Sequence, residues 1–363
     1  MQMGIWLPVY GGWLRTRDQS SAPDVAACLA IAQQAEALGF DFLYASENLL
    51  NCVHGPRVSV VDAWSLISAL SATTMRIGLC AAIKPGFRSP LLVARMIDTL
   101  TQIAGRRLAI NIVCGWWQDE FELANVDWLD HAGRYDRADA FLRTLNRLFD
   151  PDMVKAVEDD VLDNEAFAAY GNRQNEAHEL ENAPRTFGFA AKVQPEIWVS
   201  GHSSRATALT GEWGDCLFLN GLPDAQLERH INEARQIATR WGRTISIAVN
   251  AFVIATETTE QALERRRKVV QGRNDETIAF FRNVMEASGA AAWADLTDEQ
   301  MVDSNSGLDA RLVGSFSDVR ERITMLERMG VDKIVCQFDD PMRDVGPFMK
   351  NVVRPMQDRN ASR

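Results

Sequence analysis

The sequence has 363 residues, 47% of them hydrophobic and 24% charged, a composition that suits a globular chain with a large buried core. Its 38 Lys+Arg against 49 Asp+Glu give a formal charge of −11, and such an acidic chain is not expected to bind nucleic acid. No apolar run reaches the roughly 18 residues of a membrane span, and the N-terminus lacks the basic segment of a signal peptide. We therefore expect a cytoplasmic protein with no membrane or nucleic-acid partner.

In chain order, eight short apolar runs alternate with longer amphipathic stretches. The runs predicted as strands are 3–9, 40–45, 75–83, 106–113, 195–201, 215–221, 246–256 and 333–338. The stretches predicted as helices are 23–39, 60–74, 89–105, 133–148, 203–214, 223–242 and 341–356. Gly39 suits a left-handed C-terminal cap, and Ser89 followed by Pro90 suits a helix start.

This regular alternation predicts a parallel sheet, and eight units predict a closed (β/α)8 TIM barrel that spans residues 1–363 as a single domain. A doubly wound open sheet is the alternative. It is disfavoured because the sequence contains no G-x-G-x-x-G after the first strand and no P-loop motif. Two polar insertions, at about 150–192 and 257–312, interrupt the alternation, and such long excursions are usually lids, interface elements or disordered segments.

The cysteines and histidines argue against disulfides and metal chemistry. Six scattered cysteines without a C-x-x-C pair predict buried free thiols rather than disulfides. The five histidines show no metal-binding spacing, so no metal is expected, and no G-x-S-x-G elbow suggests a hydrolase. His54 follows the second strand and is a candidate proton-transfer group, although a structural loop histidine is the alternative.

Catalytic groups of such a barrel lie at the carboxyl ends of its strands. The fourth strand ends in "NIVCGWWQDEF", residues 111–121, where Asn111 offers an amide donor and acceptor. Trp116 and Trp117 can wall a flat apolar pocket or simply pack beneath a helix. After the fifth strand, the serines of "SGHSSRA" suit a phosphate at a helix start, or an ordinary N-cap. Arg134 in "HAGRYD" can hold a phosphate or lie on a solvated helix face.

Together these stretches resemble the bacterial luciferase-like superfamily of flavin-dependent (β/α)8 enzymes. The matching segments are "GFDF" at 39–42 and the residues 81–121, 128–141, 200–206, 249–258 and 312–315. The nearest resemblance is to the two-component FMN-dependent dimethylsulfone, alkanesulfonate and pyrimidine monooxygenases. The sequence departs from these relatives at 151–192, which is acidic, and at Val60, where the alkanesulfonate enzymes carry a cysteine.

The resemblance implies roles for particular residues. The implied flavin or FMN-phosphate contacts are Glu47, Asn48, Asn111, Glu120, Arg134, Tyr135, Ser203 and Ser204. The implied catalytic groups are Asn111, His54, Trp116 and Arg311, the last on a loop that is mobile in the sulfonate enzymes. Candidates for cationic side chains at the mouth of the site, for an anionic substrate or oxyanion, are Lys84, Arg88, Arg205 and Arg311, with rim charges or helix caps as the alternative for at least half of them.

The implied activity is oxygenation of a small organic substrate such as a sulfone, sulfonate or cyclic amide. Reduced FMN would come from a separate NAD(P)H:flavin reductase, and O2 would react through a flavin peroxide. A homodimer or homotetramer is expected. Two alternatives are a deazaflavin-dependent oxidoreductase on the same fold and a non-catalytic flavin-binding protein.

Overall fold

A computed structural model describes residues 1–17, 23–105, 108–149, 194–288, 296–303 and 305–361 of the chain. Eight parallel strands form a closed barrel in the order β1-β10-β7-β6-β5-β4-β3-β2. They are β1 (Gln2–Trp6), β2 (Phe42–Ala45), β3 (Gly78–Ile83), β4 (Ala109–Ile112), β5 (Glu196–Ser200), β6 (Cys216–Leu219), β7 (Ser246–Phe252) and β10 (Lys333–Gln337). The predicted (β/α)8 barrel is confirmed, and the open-sheet alternative is wrong because β1 pairs with both β2 and β10.

Aromatic side chains fill the inside of the barrel. The ring of Phe42 lies edge-on to Trp198 at 5.3 Å, and Tyr44 lies edge-on to Phe218 at the same spacing. Gly4 of β1 makes room for this packing, because a Cβ there would lie 2.1 Å from a ring carbon of Phe42. The barrel is therefore a packed core whose open face is at its carboxyl end.

The helices cover the barrel. They are α1 (Val25–Leu38), α2 (Ala63–Thr73), α3 (Pro90–Ala104), α4 (Gln118–Leu123), α5 (His131–Phe149), α6 (Ser204–Trp213), α7 (Asp224–Arg240), α8 (Thr259–Gln271), α9 (Asp275–Ser288), α10 (Phe316–Met329), α11 (Pro341–Phe348) and α12 (Arg354–Ala361). All seven stretches predicted as helices contain one, and the structure adds helices at Gln118–Leu123 and Phe316–Met329 that were not predicted. Both predicted end signals are confirmed: Gly39 has φ 92°, and Ser89 Oγ accepts a hydrogen bond from Leu92 N ahead of Pro90. A π-helical stretch, Met349–Val353, joins α11 to α12.

The second predicted insertion, 257–312, adds structure above the barrel, whereas the first, 150–192, lies outside the described residues. A two-stranded sheet, β8 (Ile254–Thr256) with β9 (Val313–Ser315), brackets it, and α8, α9 and a 3-10 turn at Gly307–Ala310 lie between them. The turn contacts the barrel closely, because a Cβ at Gly307 would lie 2.6 Å from the backbone nitrogen of Phe252, the last residue of β7. The insertion is thus anchored at the carboxyl end of the strands.

Three further sequence expectations concern features outside the barrel architecture. All six cysteines are free and buried, as predicted. Among the described helices, none has the length and apolarity that a bilayer crossing requires. Within the described ranges, no group of three His, Cys, Asp or Glu side chains is arranged to hold a metal ion.

Candidate active site

One large cavity opens at the carboxyl ends of the barrel strands, with a volume of about 1120 Å³ that includes its open mouth. We call it the candidate pocket. Its lining includes Trp6, Tyr10, Tyr44, Ser46, Glu47, Asn48, Cys52, Cys114, Trp116, His131, Arg134, Tyr135, Ser200, Gly201, His202, Ser203, Phe218, Asn220, Phe281 and Asn305. Most of these side chains follow strands β1, β2, β4, β5 and β6, which is the face where barrel enzymes place their chemistry.

The start of α6 forms a polar end of the pocket. Ser203 caps this helix by accepting a hydrogen bond from Ala206 N at 3.2 Å, and its hydroxyl donates to Tyr135 Oη at 3.0 Å. Gly201, at φ 144°, lets the two elements approach, since a Cβ there would lie 2.9 Å from both Ala206 Cβ and Tyr135 Oη. Ser204 begins the helix, so its N–H belongs to the unpaired donors of the first turn. Such a turn suits an anion.

Arg134 adds a buried positive charge to this end. Its guanidinium lies 4.2 Å from the centre of the Trp128 ring, and one of its Nη atoms donates to Leu129 O at 2.7 Å. Burial lowers the pKa of Arg134 below its usual range, yet no carboxylate among the described residues forms an ion pair with it. A side chain held by one carbonyl and one ring retains donors for an anionic ligand.

Burial lowers the pKa of two histidines beside the polar end. His202 accepts a hydrogen bond from Asn220 N through Nε2 at 2.9 Å, and burial lowers its pKa to about 4. His131 lies with its ring 5.0 Å from that of Tyr135, and burial also lowers its pKa. An imidazole that accepts through Nε2 carries its proton on Nδ1, so His202 offers a neutral donor there.

Another part of the pocket wall is aromatic. Trp116 stacks on Trp117 with ring centres 5.7 Å apart, and Phe281 of α9 meets Trp116 edge-on at 6.2 Å. Trp117 is fully buried and packs against Phe280 rather than facing the pocket. The insertion between β7 and β10 therefore supplies one wall of the pocket, and both interpretations of the tryptophan pair hold: Trp116 lines the pocket and Trp117 packs.

Asn111 lies behind the pocket wall. Its side chain is fully buried, donates through Nδ2 to Tyr44 Oη at 2.8 Å, and accepts from Ser200 Oγ at 2.9 Å. Asn111 is not among the lining residues, whereas Tyr44 and Ser200 are. In this arrangement it orients two pocket hydroxyls, so the predicted direct contact with a flavin ring is not what the geometry displays.

A buried ionic network underlies the loop after β2. Lys84 and Glu120 are both fully buried and form an ion pair, and Lys84 Nζ also donates to Asn48 Oδ1. Glu120 Oε1 accepts from the backbone N–H groups of Leu49 and Leu50 at 2.7 and 3.1 Å. Glu120 is not among the lining residues, so the structure places it as a clamp on this loop.

The other carboxylate of this loop, Glu47, does line the pocket, but its oxygens are already bonded. It accepts from Lys84 N at 2.6 Å and pairs with Arg88, which also contacts Asp62. Arg205 is exposed and pairs with Asp136 at 3.0 Å. The expectation that Lys84, Arg88 and Arg205 are mouth cations is wrong for this structure, because each one is paired with a carboxylate and none lines the pocket.

Two predicted catalytic groups lie away from the pocket. His54 is absent from its lining, its Nε2 is buried without a partner among the described residues, and burial lowers its pKa to about 4. The alternative of a structural loop histidine fits this placement. Arg311 is exposed, pairs with Asp224 and lines a separate small surface cavity. The geometry therefore does not support either residue as a catalytic group.

Several lining residues escaped the sequence prediction. Tyr44, Ser46 and Phe218 lie within or just after predicted strands, so the strand-end rule could have identified them. Tyr10 follows the first strand, so the same rule applies to it. The sequence around Phe281 did not indicate that this residue lines the pocket, because the position of an insertion helix relative to the barrel cannot be inferred from its own sequence.

Comparison with known proteins agrees with this architecture. A family model described as luciferase-like monooxygenase matches residues 1–333. FMNH2-dependent dimethylsulfone monooxygenases are similar in sequence: the Pseudomonas putida protein is 29% identical, covering 97% of this chain and 94% of its own length. The one from Pseudomonas fluorescens (strain Pf0-1) is 28% identical, covering 97% and 93%.

The fold also recurs in a solved structure. A long-chain alkane monooxygenase superposes with a TM-score of 0.76 at 19% identity, covering 99% of this chain and 92% of its own. At that identity the likeness concerns the fold. The family match, by contrast, extends over the barrel from its first strand to the start of its last. The chain belongs to the luciferase-like monooxygenase family.

Proposed function

We propose that this protein is an FMN-dependent monooxygenase that oxygenates a small organic substrate, such as a sulfone, sulfonate or cyclic amide. The observation that carries the proposal is that one pocket is lined both by a phosphate-suited helix start at α6 and by aromatic surface at Trp116. A flavin mononucleotide has two corresponding parts, a phosphate tail and a flat ring system. The two Pseudomonas relatives, named as FMNH2-dependent enzymes, add support.

The residues present fit this cofactor. Because Gly201 has no Cβ, the first turn of α6 and the Ser203 and Tyr135 hydroxyls can come together at one place. Together with Arg134, these groups would hold a phosphate by charge and by neutral donors. The predicted contacts of Ser203, Ser204, Arg134 and Tyr135 with the tail thus remain our proposal. Bound reduced FMN supplies the electrons that activate dioxygen.

The chain itself would orient and enclose the reactants. Tyr44 and Ser200, held by Asn111, present hydroxyls of fixed direction to the pocket. Trp116 and Phe281 add apolar surface to its wall, which would exclude water from the reacting groups. Glu120 would act at a distance, by fixing the loop that carries Asn48.

Partners and compartment follow from the same proposal. We propose a separate NAD(P)H:flavin reductase as the source of reduced FMN and a cytoplasmic location, which the six free buried thiols support. A homodimer or homotetramer is proposed because Met75, Leu92 and Ile103, on and between α2 and α3, are exposed apolar side chains.

The cofactor can be tested without turnover. Under anaerobic conditions, we expect the full-length protein to bind reduced FMN at least tenfold more tightly than a reduced deazaflavin coenzyme, because the polar end accommodates a short phosphate tail. Quenching of tryptophan fluorescence measures both titrations. Tight binding of the deazaflavin alone would establish the hydride-transfer alternative instead.

A further inference from the structure

A chain of hydrogen bonds leads from the buried Lys84–Glu120 pair to the wall of the pocket. Lys84 Nζ donates to Asn48 Oδ1, and Asn48 Nδ2 donates to Tyr10 Oη at 2.7 Å and to Cys52 Sγ at 3.3 Å. Asn48, Tyr10 and Cys52 all line the candidate pocket. These hydrogen bonds therefore connect the buried charge of Lys84 to the Tyr10 hydroxyl in the pocket wall.

Lys84 fixes the donor and the acceptor of each hydrogen bond in this series. An ammonium group can donate but never accept, so the Asn48 atom that faces it is the carbonyl oxygen. The Asn48 amide nitrogen then faces Tyr10 and donates to it, which occupies a lone pair of Tyr10 Oη. Both amide protons and the carbonyl oxygen of Asn48 are engaged, so Asn48 acts on a ligand through Tyr10.

The phenolic proton of Tyr10 is not used in the bond with Asn48. Ser46 Oγ accepts from Trp6 Nε1 at 3.1 Å, and both the Ser46 hydroxyl and the Cys52 thiol interact with the Tyr10 hydroxyl. Since Asn48 donates to Oη, the phenolic proton of Tyr10 can turn toward Ser46, toward Cys52 or toward a ligand in the pocket. Burial raises the pKa of Tyr10 well above its usual value, so the hydroxyl keeps this proton at neutral pH.

The charges around Tyr10 favour an uncharged ligand. Glu47, which directly precedes Asn48, lines the pocket and is acidic. Lys84 is neutralised by Glu120, and Arg88 by Glu47 and Asp62. Arg134 is the one arginine among the described lining residues, and it lies at the polar end near α6. Arg15 is a buried cation near Tyr10, but it lies behind the lining and its guanidinium donates to the carbonyl oxygens of Met301, Asp303 and Cys52. An anion placed beside Tyr10 would therefore contact no cation in the described lining at this place.

Tyr10 also lies far from the proposed phosphate end. It follows β1, and β1 is four strands from β5 in either direction around the barrel, so the two strands are diametrically opposed. Ser203 follows β5. A ligand at Tyr10 and a phosphate at Ser203 can thus occupy the pocket together.

We propose that the Tyr10 hydroxyl is the hydrogen-bond donor that holds an oxygen atom of an uncharged substrate, with Asn48 and Lys84 as its positioning residues. This inference rests on the proposed function, since it assigns the substrate class of the same pocket. Dimethyl sulfone and methanesulfonate are suitable probes because they are nearly equal in size and differ in charge.

The test is equilibrium binding of both probes to the full-length protein, with and without FMN, followed by tryptophan fluorescence and calorimetry. We expect the sulfone to bind and methanesulfonate to bind at least tenfold more weakly. Tyr10→Phe should weaken sulfone binding about tenfold, the effect of one directed hydrogen bond, and leave the FMN dissociation constant within twofold. Asn48→Leu should have the same effect, and the double variant should be no worse than either single one.

The positioning role of Lys84 can be tested against a matched control. Lys333 is a second buried lysine, paired with Glu196 at the amino end of the barrel, away from the pocket. Lys84→Met should weaken sulfone binding, whereas Lys333→Met should not. If Lys84→Met does not fold, the Tyr10 and Asn48 variants still decide the question.

Four results would overturn the inference. They are no detectable binding of the sulfone at roughly 50 mM, equal binding of methanesulfonate, an unchanged affinity in Tyr10→Phe, and a tenfold loss of FMN affinity in that variant, which would assign the hydroxyl to the cofactor. Failure of the proposed function would look different: the sulfone would bind through Tyr10, yet no oxygen would be transferred to it.

Discussion

Lys84→Met is expected to lower the free energy of unfolding by about 3–5 kcal/mol, because it leaves the fully buried Glu120 carboxylate without its cation. Equilibrium unfolding in urea, followed by circular dichroism, measures the loss. Glu120→Gln should be costly as well, since its amide nitrogen would face the Lys84 ammonium and two donors would oppose each other. Each variant breaks one half of a pair that the interior cannot solvate.

The double variant Lys84→Met/Glu120→Gln is the informative control. The glutamine keeps a carbonyl oxygen for the N–H groups of Leu49 and Leu50, and methionine fills the volume of the lysine stem. We expect the double variant to recover most of the lost stability, since removing both buried charges is often neutral. A double variant as unstable as the sum of the two single ones would contradict a paired-charge origin.

Gly201→Ala is expected to weaken FMN binding by about 2 kcal/mol, or roughly 30-fold. The new Cβ would lie 2.9 Å from both Ala206 Cβ and Tyr135 Oη, and φ 144° is a strained conformation for alanine. The start of α6 and Tyr135 would have to separate, which disperses the donors proposed to hold the phosphate. Fluorescence titration with FMN gives the dissociation constant directly.

A glycine without such neighbours provides the comparison. A Cβ at Gly346, inside α11, would meet nothing within 4 Å, and its φ is not in the left-handed range. Gly346→Ala should therefore leave FMN affinity unchanged and favour the helix slightly. If Gly201→Ala binds FMN as tightly as the unaltered protein, the phosphate does not lie at α6.

Local sequence signals were sufficient for the barrel and the phosphate-suited end. Strand and helix positions follow from hydrophobic periodicity, and the cap at Ser89 follows from its hydroxyl ahead of Pro90. Ser203 was predictable for the same reason, since its hydroxyl precedes a helix, whereas Tyr135 was implied by the family resemblance. The structure brings their hydroxyls together.

The rest of the site depends on long-range contacts. Lys84 follows an apolar strand, a position that suggests a cation at the mouth of the pocket. It is buried instead, because it forms an ion pair with Glu120, 36 residues later. Asn111 ends a strand, yet Tyr44 and Ser200 engage its amide from both sides. Phe281 reaches the pocket through the packing of an insertion. These arrangements arise from tertiary packing, which residue spacing along one chain does not encode.

The monooxygenase assignment is tested most directly by oxygen labelling. The reaction mixture contains the protein, FMN, NADH and a flavin reductase. It is supplied with ¹⁸O₂ and, in turn, with sulfones, sulfonates and cyclic amides, and the product masses are measured by mass spectrometry. We expect one ¹⁸O atom in the product of an uncharged substrate, and none when this protein is omitted. Absence of label from every substrate, in a protein shown to bind reduced FMN, would contradict monooxygenation and point to the non-catalytic flavin-binding alternative.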